Sequence, residues 1–323
     1  MMQTVSVIIE WENAKLSELE RANEMLVRLG KQMIALAQKR DIKAELIVLY
    51  DNDEIDASVP KTAVGEAIPS AEWPGVIKFV EAPHQRYYEQ KNTGADLATG
   101  DLLIFLDSDV VPDEGWLEGL ITAMDDPKIT ICGGETYHAT DTYNDRIFAA
   151  FWTFTPKKPN NGIYTYKNFY ANNFAVRRAY FLTHKFPDAS AYRGQCSMLA
   201  RRLREEKMPI YRQGASTVSH PPPVGARTFI VRAVCQGYDT VYWKNQRPLG
   251  MLLNTNPVAS LVRLIRQWFN VFVKVAKRAG KVGLGPLGAL NAIGAGIAFY
   301  WWKFVGEVVA FFTPNVIRSN LSV

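Results

Sequence analysis

Cysteine is scarce in this chain of 323 residues, and nothing at its start looks like a secretion signal. The three cysteines, Cys132, Cys196 and Cys235, form no Cys-x-x-Cys pair, and an odd number of cysteines cannot all pair within one chain. We therefore expect a reducing compartment. The first residues pass straight into a strand-like run with no basic stretch and apolar run before it, so we expect no signal peptide.

Acidic side chains are missing from one long stretch. Residues 240–306 contain nine Lys or Arg and no Asp or Glu, which leaves 28 basic against 32 acidic side chains in the rest of the chain. The composition, 48% hydrophobic and 21% charged, excludes disordered, collagen-like and coiled-coil chains. A mildly acidic body with a basic, apolar tail argues against a nucleic-acid binder and indicates a membrane partner.

The first two hundred residues alternate strand-like and helix-like segments, which predicts an α/β fold with a mostly parallel sheet flanked by helices. The segment 102–106 has no polar alternation and is typical of a central strand buried on both faces. From 135 to 162 the pattern is lost, and its aromatic and polar composition fits either a binding surface or ordinary surface loops. The predicted strands are 5–9, 45–50, 76–80, 102–106 and 129–132, and the predicted helices are 16–36 after the cap Asn13, 87–98 and 116–124.

The chain changes character beyond Pro257. The segment 258–278 predicts an interfacial helix, because its polar residues share one helical stripe. Residues 282–302 carry no charge and are long enough to cross a hydrocarbon core of roughly 30 Å, but five glycines and Pro286 interrupt them. The stripe consists of Arg263, Arg266, Gln267, Asn270, Lys274, Lys277 and Arg278.

Three alternatives stay open for 282–302: a membrane span, a re-entrant or surface-lying segment, and a glycine-rich helix packed against protein. If the segment spans, the basic residues before it keep the globular body cytoplasmic. We therefore expect the protein to lie on the cytoplasmic side of the cell membrane, either attached peripherally or held by a C-terminal membrane segment. The predicted domains are 1–225, with a donor half over 1–134 and an acceptor half over 135–225, a connector over 226–257, and membrane-associated helices over 258–323.

Acidic groups follow three of the predicted strands. In an open parallel sheet, ligands bind beyond the carboxyl ends of the strands, although a single carboxylate there is commonly just a helix cap. Carboxylates two residues apart suit Mg²⁺ or Mn²⁺ and leave positions open for a diphosphate. Such a cation would stabilise the charge on a departing nucleoside diphosphate. The three groups are Glu10-Trp11-Glu12, Asp51-Asn52-Asp53 and Asp107-Ser108-Asp109.

The surroundings of the third group carry a specific resemblance. The run Asn92-Thr93-Gly94-Ala95-Asp96-Leu97-Ala98-Thr99-Gly100-Asp101, the apolar strand, and Asp107-Ser108-Asp109-Val110-Val111-Pro112-Asp113 with Gly115-Trp116-Leu117 resemble glycosyltransferase family 2. The resemblance covers about residues 4–225. It implies a GT-A domain of the nucleotide-diphospho-sugar transferase type, a divalent cation, and inversion of the anomeric carbon.

Position by position, the resemblance implies donor contacts. Asp51 is similar to the carboxylate that accepts a hydrogen bond from the base ring. Glu10 and Trp11 stand where the family usually has Pro-Thr, in contact with the nucleoside, so the identity of the base stays open. Arg86 or Lys91 resembles the basic residue that reaches the nucleotide, and the alternative for either is a solvated helix face.

The resemblance also implies a metal site. Asp109 would bind Mn²⁺ or Mg²⁺, and Asp107 would contact the ribose or the metal through water, with Ser108 between them at the donor. His220 resembles a late histidine that completes the metal or diphosphate site in some family members, because imidazole binds a cation through one ring nitrogen. A loop anchor before three prolines is the alternative for His220.

The acceptor half departs from the family pattern. The family typically has an acidic pair whose Asp is the general base, but Gln195 and Cys196 stand at that place. A positioned base contributes about 10² to 10⁴ in rate, which neither an amide nor a neutral thiol supplies. A Cys196 thiolate would need a lowered pKa. Asp188 is the candidate base, with Asp141 and Asp145 as alternatives.

The leading hypothesis is a glycosyltransferase that transfers a sugar to an acceptor hydroxyl at the cytoplasmic membrane surface, with a lipid-linked acceptor among the candidates. The second hypothesis is a non-catalytic sugar-nucleotide-binding or scaffold protein that has lost its base. A nucleotidyltransferase of similar topology is a distant third, because the residues after the first strand are not a glycine-rich phosphate loop.

Overall fold

The computed structural model describes residues 3–12, 19–157, 160, 162–246 and 256–313. The predicted cap Asn13 and part of the predicted connector lie outside these residues. The chain divides into two compact units. The first comprises Met1–Thr136, Lys158–Pro187 and Cys196–His220, and the second comprises Tyr137–Lys157, Asp188–Gln195 and Pro221–Val323.

Strands and helices alternate along the first two hundred residues, as predicted. The strands are β1 (Gln3–Glu10), β2 (Ile42–Tyr50), β3 (Gly75–Glu81), β4 (Leu102–Asp107), β5 (Val111–Pro112), β6 (Ile131–His138), β7 (Ile163–Thr165), β8 (Asn173–Arg177) and β9 (Tyr211–His220). The helices are α1 (Leu19–Lys39), α2 (Ser58–Ala67), α3 (Tyr87–Leu97), α4 (Trp116–Met124), α5 (Tyr143–Phe151), α6 (Arg178–Thr183), α7 (Gln195–Glu205), α8 (Gly225–Asn245), α9 (Pro257–Arg278) and α10 (Pro286–Phe312).

The sheet is mixed and flanked by helices, which confirms the α/β fold class. Within the described residues its order is β3-β2-β1-β4-β8-β6-β9-β5, with β7 beside β9. The neighbours β3, β2, β1 and β4 are parallel, and β8, β5 and β7 pair with their neighbours antiparallel. The parallel half ends at one edge, so the residues that follow β1, β2 and β4 lie at the same side of the sheet.

Burial explains why these segments form the core of the first unit. All six residues of β4 are buried, as its lack of polar alternation predicted. Helix α1 buries residues spaced three or four apart, which is the amphipathic pattern of a helix on a sheet. Its buried positions are Ala22, Met25, Leu26, Leu29, Gly30, Met33 and Leu36.

The segment 135–162 is more ordered than its composition predicted. Strand β6 continues to His138, and α5 then begins after Thr142. Thr142 Oγ1 accepts a hydrogen bond from the Asp145 amide, and Asp145 Oδ2 accepts one from the Thr142 amide. This reciprocal capping box gives Asp145 a structural partner, which argues against Asp145 as a general base.

The second unit is helical in its described part beyond residue 220. Helix α8 occupies most of the predicted connector 226–257, and α9 confirms the predicted helix over 258–278. Helices α8 and α10 approach closely at glycine, since a Cβ on Gly306 would stand 2.1 Å from the Val234 carbonyl oxygen. By length and composition α10 is the one described helix that could cross a membrane, with a mean hydropathy of 1.2. The predicted domain boundaries stay predictions.

Candidate functional site

The centre of the candidate site lies where β1 and β4 end side by side. The parallel register pairs Glu10 with Asp107, so two carboxylates meet across the ladder. Lys91 of α3 donates to Asp107 Oδ1 at 2.7 Å, and the Tyr87 hydroxyl lies 2.8 Å from both oxygens of Asp107. Lys91 is fully buried and ion-paired, so the solvated-face alternative for it is wrong.

The electrostatics of this cluster are strongly acidic. Glu10 is fully buried, and burial followed by the repulsion of Asp107 raises its pKa well above the usual value, while Lys91 acts in the opposite sense. Asp109 also contributes to the rise. Because two buried carboxylates on neighbouring strands resist ionising together, the cluster favours the uptake of positive charge.

The second carboxylate of the Asp-x-Asp group meets the predicted histidine. Strand β5 is only two residues long, and it pairs antiparallel with the end of β9, matching Val111 to Ser219. This pairing places His220 Nε2 4.0 Å from Asp109 Oδ2, and both side chains are largely buried.

Arg21 of α1 fixes the same corner. Its Nε donates to the Asp109 carbonyl oxygen at 2.7 Å, and its Nη2 donates to the Ser219 carbonyl oxygen at 2.6 Å and to Ser219 Oγ at 2.8 Å. One guanidinium therefore holds the backbones on either side of the Asp109 and His220 pair. These contacts join residues 88 and 198 positions apart in the chain, so no local sequence pattern indicates them.

Asp109 and His220 fit a divalent cation. A carboxylate oxygen and an imidazole nitrogen are both ligands of Mn²⁺-type ions. Two donors that each lie about 2.1 Å from one ion can be at most about 4.2 Å apart, and the 4.0 Å separation is within that limit. Among the described residues no group of three or more His, Cys, Asp or Glu is placed to hold a metal.

Asn172 and Asn173 lie next to the end of β4. The Asp107 amide lies 3.4 Å from the Asn172 carbonyl oxygen, and Thr136 Oγ1 donates to Asn172 Oδ1 at 3.1 Å. Asn173 Oδ1 accepts a hydrogen bond of 2.7 Å from the Trp116 indole. Ser108 is fully buried, and its Oγ has no hydrogen-bond partner among the described atoms.

Three predicted donor contacts lie elsewhere or have other partners. Trp11 is 1% exposed in the hydrophobic core, which argues against contact with a nucleoside. Asp51 is buried, and its two oxygens accept from the amides of Asp53 and His84, each at 3.0 Å. Asp51 thus joins the loops after β2 and β3. Arg86 is exposed at the start of α3, where its backbone amide donates a hydrogen bond to the Glu89 carboxylate.

Tyr87 and Arg21 are two residues of the site that the sequence patterns did not indicate. Tyr87 lies four residues before Lys91 on α3, so the two side chains share one helix face. Its ring also lies 4.6 Å from the Lys91 ammonium, a cation–π contact. The i, i+4 spacing was the signal available for Tyr87.

Within the part of the chain that the structure describes, no side chain is identified as a general base. Asp188 is exposed and belongs to the second unit, and its predicted role stays a prediction. Gln195 is buried and donates to the Ala191 carbonyl oxygen at 3.4 Å. Burial raises the pKa of the Cys196 thiol. Cys196 is therefore not poised as a thiolate base.

Helix α8 fixes the backbone just before Gln195. The carboxylate of Asp239 accepts from the amides of Tyr192 and Arg193, at 2.7 and 3.0 Å. The Trp243 indole donates to the Arg193 carbonyl oxygen at 2.7 Å. Burial raises the pKa of Asp239 to about 7, opposed by these two amides. The segment is therefore held by a buried group that titrates near neutrality.

Residues 31–184 match the sequence model of glycosyl transferase family 2. The match includes Asp51, Lys91, Asp107 and Asp109. Over 133 residues the chain is 29% identical to the "Inactive polypeptide N-acetylgalactosaminyltransferase-like protein 5" of Mus musculus. This stretch is 41% of the chain and 28% of the mouse protein, so the chain spans less than a third of that relative.

A solved structure is similar over nearly the whole chain. It is the mannosyltransferase PcManGT from Pyrobaculum calidifontis in complex with GDP-Man and Mn²⁺, with a TM-score of 0.55 and 15% sequence identity. The likeness covers 97% of this chain and 88% of the other. At this identity it shows a shared fold of the GT-A type.

Proposed function

Because the chain belongs to glycosyl transferase family 2 through its residues 31–184, we propose that it transfers a sugar from a nucleotide-diphospho-sugar donor to an acceptor hydroxyl, with inversion and with the help of a divalent cation. One observation supports this most directly. The ends of β1 and β4 and the β5–β9 pair gather Glu10, Lys91, Asp107, Asp109 and His220 into one buried, mainly acidic cluster.

Four members of the cluster have a role in this proposal. Asp109 and His220 would hold the cation, and Asp107 would contact the ribose or, through water, the cation. When bound, the cation neutralises charge on the diphosphate as it leaves. Lys91 balances the charge of Asp107 and keeps its carboxylate in one orientation, together with Tyr87. The cluster therefore presents fixed groups to the donor before binding, which is the preorganisation that electrostatic catalysis requires.

The acceptor side of the proposal is less complete. A hydroxyl nucleophile needs a base within hydrogen-bond reach, and we assign Asp188 to that role. We place the acceptor, lipid-linked or not, at the cytoplasmic membrane surface. The support is the apolar α10 and the excess of basic residues before it.

The test is the substitution Asp109→Ala. Removing one metal ligand should lower Mn²⁺-dependent sugar transfer or donor hydrolysis by about 10²-fold or more, while the far-UV circular dichroism spectrum stays unchanged. Glu66→Ala, which removes an exposed carboxylate of α2, is the control and should retain full turnover. Unchanged turnover in Asp109→Ala would defeat the proposal.

Donor identity can be tested by thermal stabilisation in Mn²⁺. A ligand at about 100 times its dissociation constant stabilises the folded state by roughly 2.7 kcal/mol. GDP-mannose is the first donor to test, because the similar PcManGT structure contains GDP-Man and Mn²⁺. UDP-sugars follow, since the residues after β1 do not define the base.

A non-catalytic sugar-nucleotide-binding protein is the second candidate. Two observations favour it: Gln195 and Cys196 at the expected place of the acidic pair, and a mouse relative that is named inactive. Calorimetry distinguishes the two functions. Donor binding in Mn²⁺ without hydrolysis or transfer in the presence of membrane extracts would establish the non-catalytic one.

A further inference from the structure

Helix α9 carries a row of exposed apolar side chains. We name it the α9 outer stripe, consisting of Val258, Val262, Ile265, Phe269 and Phe272. Their exposed fractions run from 48% to 71%, with Phe269 at 67%. The spacing of three or four residues places all five on one side of the helix. A contiguous apolar row of this size on a surface indicates an interaction site.

The opposite side of α9 is already occupied by protein. Leu264, Val271 and Val275 are buried, and the last two belong to the hydrophobic core of the second unit. The outer stripe therefore does not contribute to the packing of α9 in its unit. The stripe is therefore either covered by another surface or exposed to water.

The structure divides the basic stripe predicted for 258–278 into two groups. Arg263 forms a buried ion pair of 2.6 Å with Glu307 of α10. Lys274 donates to the Phe151 carbonyl oxygen and Arg278 to that of Trp152, each at 3.2 Å. These three cations hold the second unit together.

The second group of cations is exposed. Arg266 and Lys277 lie on α9 next to the outer stripe, and Lys281 follows in the turn after the helix. Helix α9 contains no Asp or Glu. The outer stripe is thus an apolar band flanked by positive charge alone.

Helix α10 is less suited than α9 to meet lipid along its whole length. Lys303 and Glu307 lie in its C-terminal half, where burial lowers the pKa of Lys303 and Glu307 is paired with Arg263. Its Gly306 packs against the backbone of α8. This end of α10 is therefore packed against its own protein.

We propose that the α9 outer stripe docks this protein on an anionic lipid surface, with the helix axis in the plane of the membrane. The apolar side chains enter the boundary between headgroups and acyl chains, and Arg266, Lys277 and Lys281 meet lipid phosphates. A second copy is a poorer occupant, because pairing two such stripes would bring like charges together. The proposal rests on the membrane location proposed above and specifies the surface that provides it.

The experiment is flotation of the full chain with vesicles of phosphatidylcholine alone or with 30% phosphatidylglycerol. The double substitution Ile265→Ser and Phe269→Ser should lower vesicle affinity about tenfold or more, because two large side chains no longer leave water. Val27→Ser, which changes an apolar residue of α1 that is 48% exposed, is the control and should float as the wild type does.

The charge part of the proposal has its own variants. Arg266→Gln and Lys277→Gln should each lower affinity for the anionic vesicles about fivefold. Neither substitution should change flotation with neutral vesicles. Raising the salt concentration should remove the difference between the two vesicle types, since surface charge interactions are screened.

Two results would overturn the proposal. One is undiminished flotation of the Ile265→Ser, Phe269→Ser variant. The other is sedimentation of the wild type as a dimer that this variant dissociates, which would assign the stripe to a second copy. Donor hydrolysis in vesicle-free buffer distinguishes failure of this proposal from failure of the proposed function. The Ile265→Ser, Phe269→Ser variant should retain donor hydrolysis. Loss of donor hydrolysis in Asp109→Ala tests the catalytic site separately.

Discussion

The buried ion pair between Lys91 and Asp107 offers the sharpest test of how the candidate site is held together. The perturbation is Lys91→Met, which keeps most of the side-chain volume and removes the charge. Asp107 would then be a buried carboxylate beside the fully buried Glu10, with the Tyr87 hydroxyl as a remaining donor. Breaking one partner of a buried pair leaves the other charge without compensation.

The expected cost follows from this geometry. Loss of one partner of a buried pair typically costs about 3–5 kcal/mol. The lower end applies here, because the Tyr87 hydroxyl still donates to Asp107 and a hydrogen bond to a charged group is worth about 1.5–3 kcal/mol. For a folded unit of about 150–250 residues, a loss of about 3 kcal/mol lowers Tm by roughly 6–12 °C.

The assay is thermal unfolding followed by circular dichroism, with Lys185→Met as the matched control. Lys185 pairs at 2.5 Å with Asp96, which lies on α3 as Lys91 does, but the side chains of Lys185 and Asp96 are 35% and 49% exposed. An exposed pair contributes about 0–1 kcal/mol, so this control should shift Tm by no more than about 4 °C. Equal shifts for the two variants would refute the inference that burial makes the Lys91 pair essential.

Three further predictions concern the second unit. Because the pKa of Asp239 is raised to about 7, its contribution to stability is lost as pH rises from about 4 through 7, at up to about 1.4 kcal/mol per pH unit. Asp239→Asn should flatten this dependence in urea unfolding, and an unchanged slope would contradict the assignment. Gly306→Ala should cost about 1–3 kcal/mol through its clash with the α8 backbone, whereas Gly294→Ala, with open space around it, should gain up to about 1 kcal/mol. Glu307→Gln should cost about 3 kcal/mol, because it removes the charge that compensates the largely buried Arg263 guanidinium; a loss below 1 kcal/mol would show that the neutral amide oxygen and Ser260 satisfy the guanidinium equally well.

Apolar periodicity was sufficient to predict the parallel half of the sheet and three of the helices beside it. The strands β1, β2, β3 and β4 and the helices α1, α3 and α4 were predicted near their observed bounds, because each has a regular apolar period or a solid apolar run. Beyond them, several elements were not predicted: helices α2, α5, α6, α7 and α8 and strands β5, β7, β8 and β9. In α2 a proline interrupts the apolar period, and α5 is short and begins with polar residues.

The site shows a similar division between local and long-range information. The Asp-x-Asp group and Lys91 are local features that a sequence pattern reveals. The partner of Lys91 is not, because the pattern placed Lys91 at the nucleotide and the structure pairs it with Asp107. The burial of Trp11 could not be predicted from the sequence either. Which side of a strand end faces the core depends on the layers that pack over it.

Sequence patterns were enough to predict the alternation of strands and helices, the acidic strand ends and the basic, apolar character of the last helices. All of these depend on neighbours within a few positions along the chain. The folded structure was needed to show that Glu10 is paired in register with Asp107, that His220 lies beside Asp109, and that Arg263 pairs with the buried Glu307 while other cations of α9 stay exposed. Such pairings depend on strand register and helix packing, which join residues far apart in the chain and leave no fixed spacing to read.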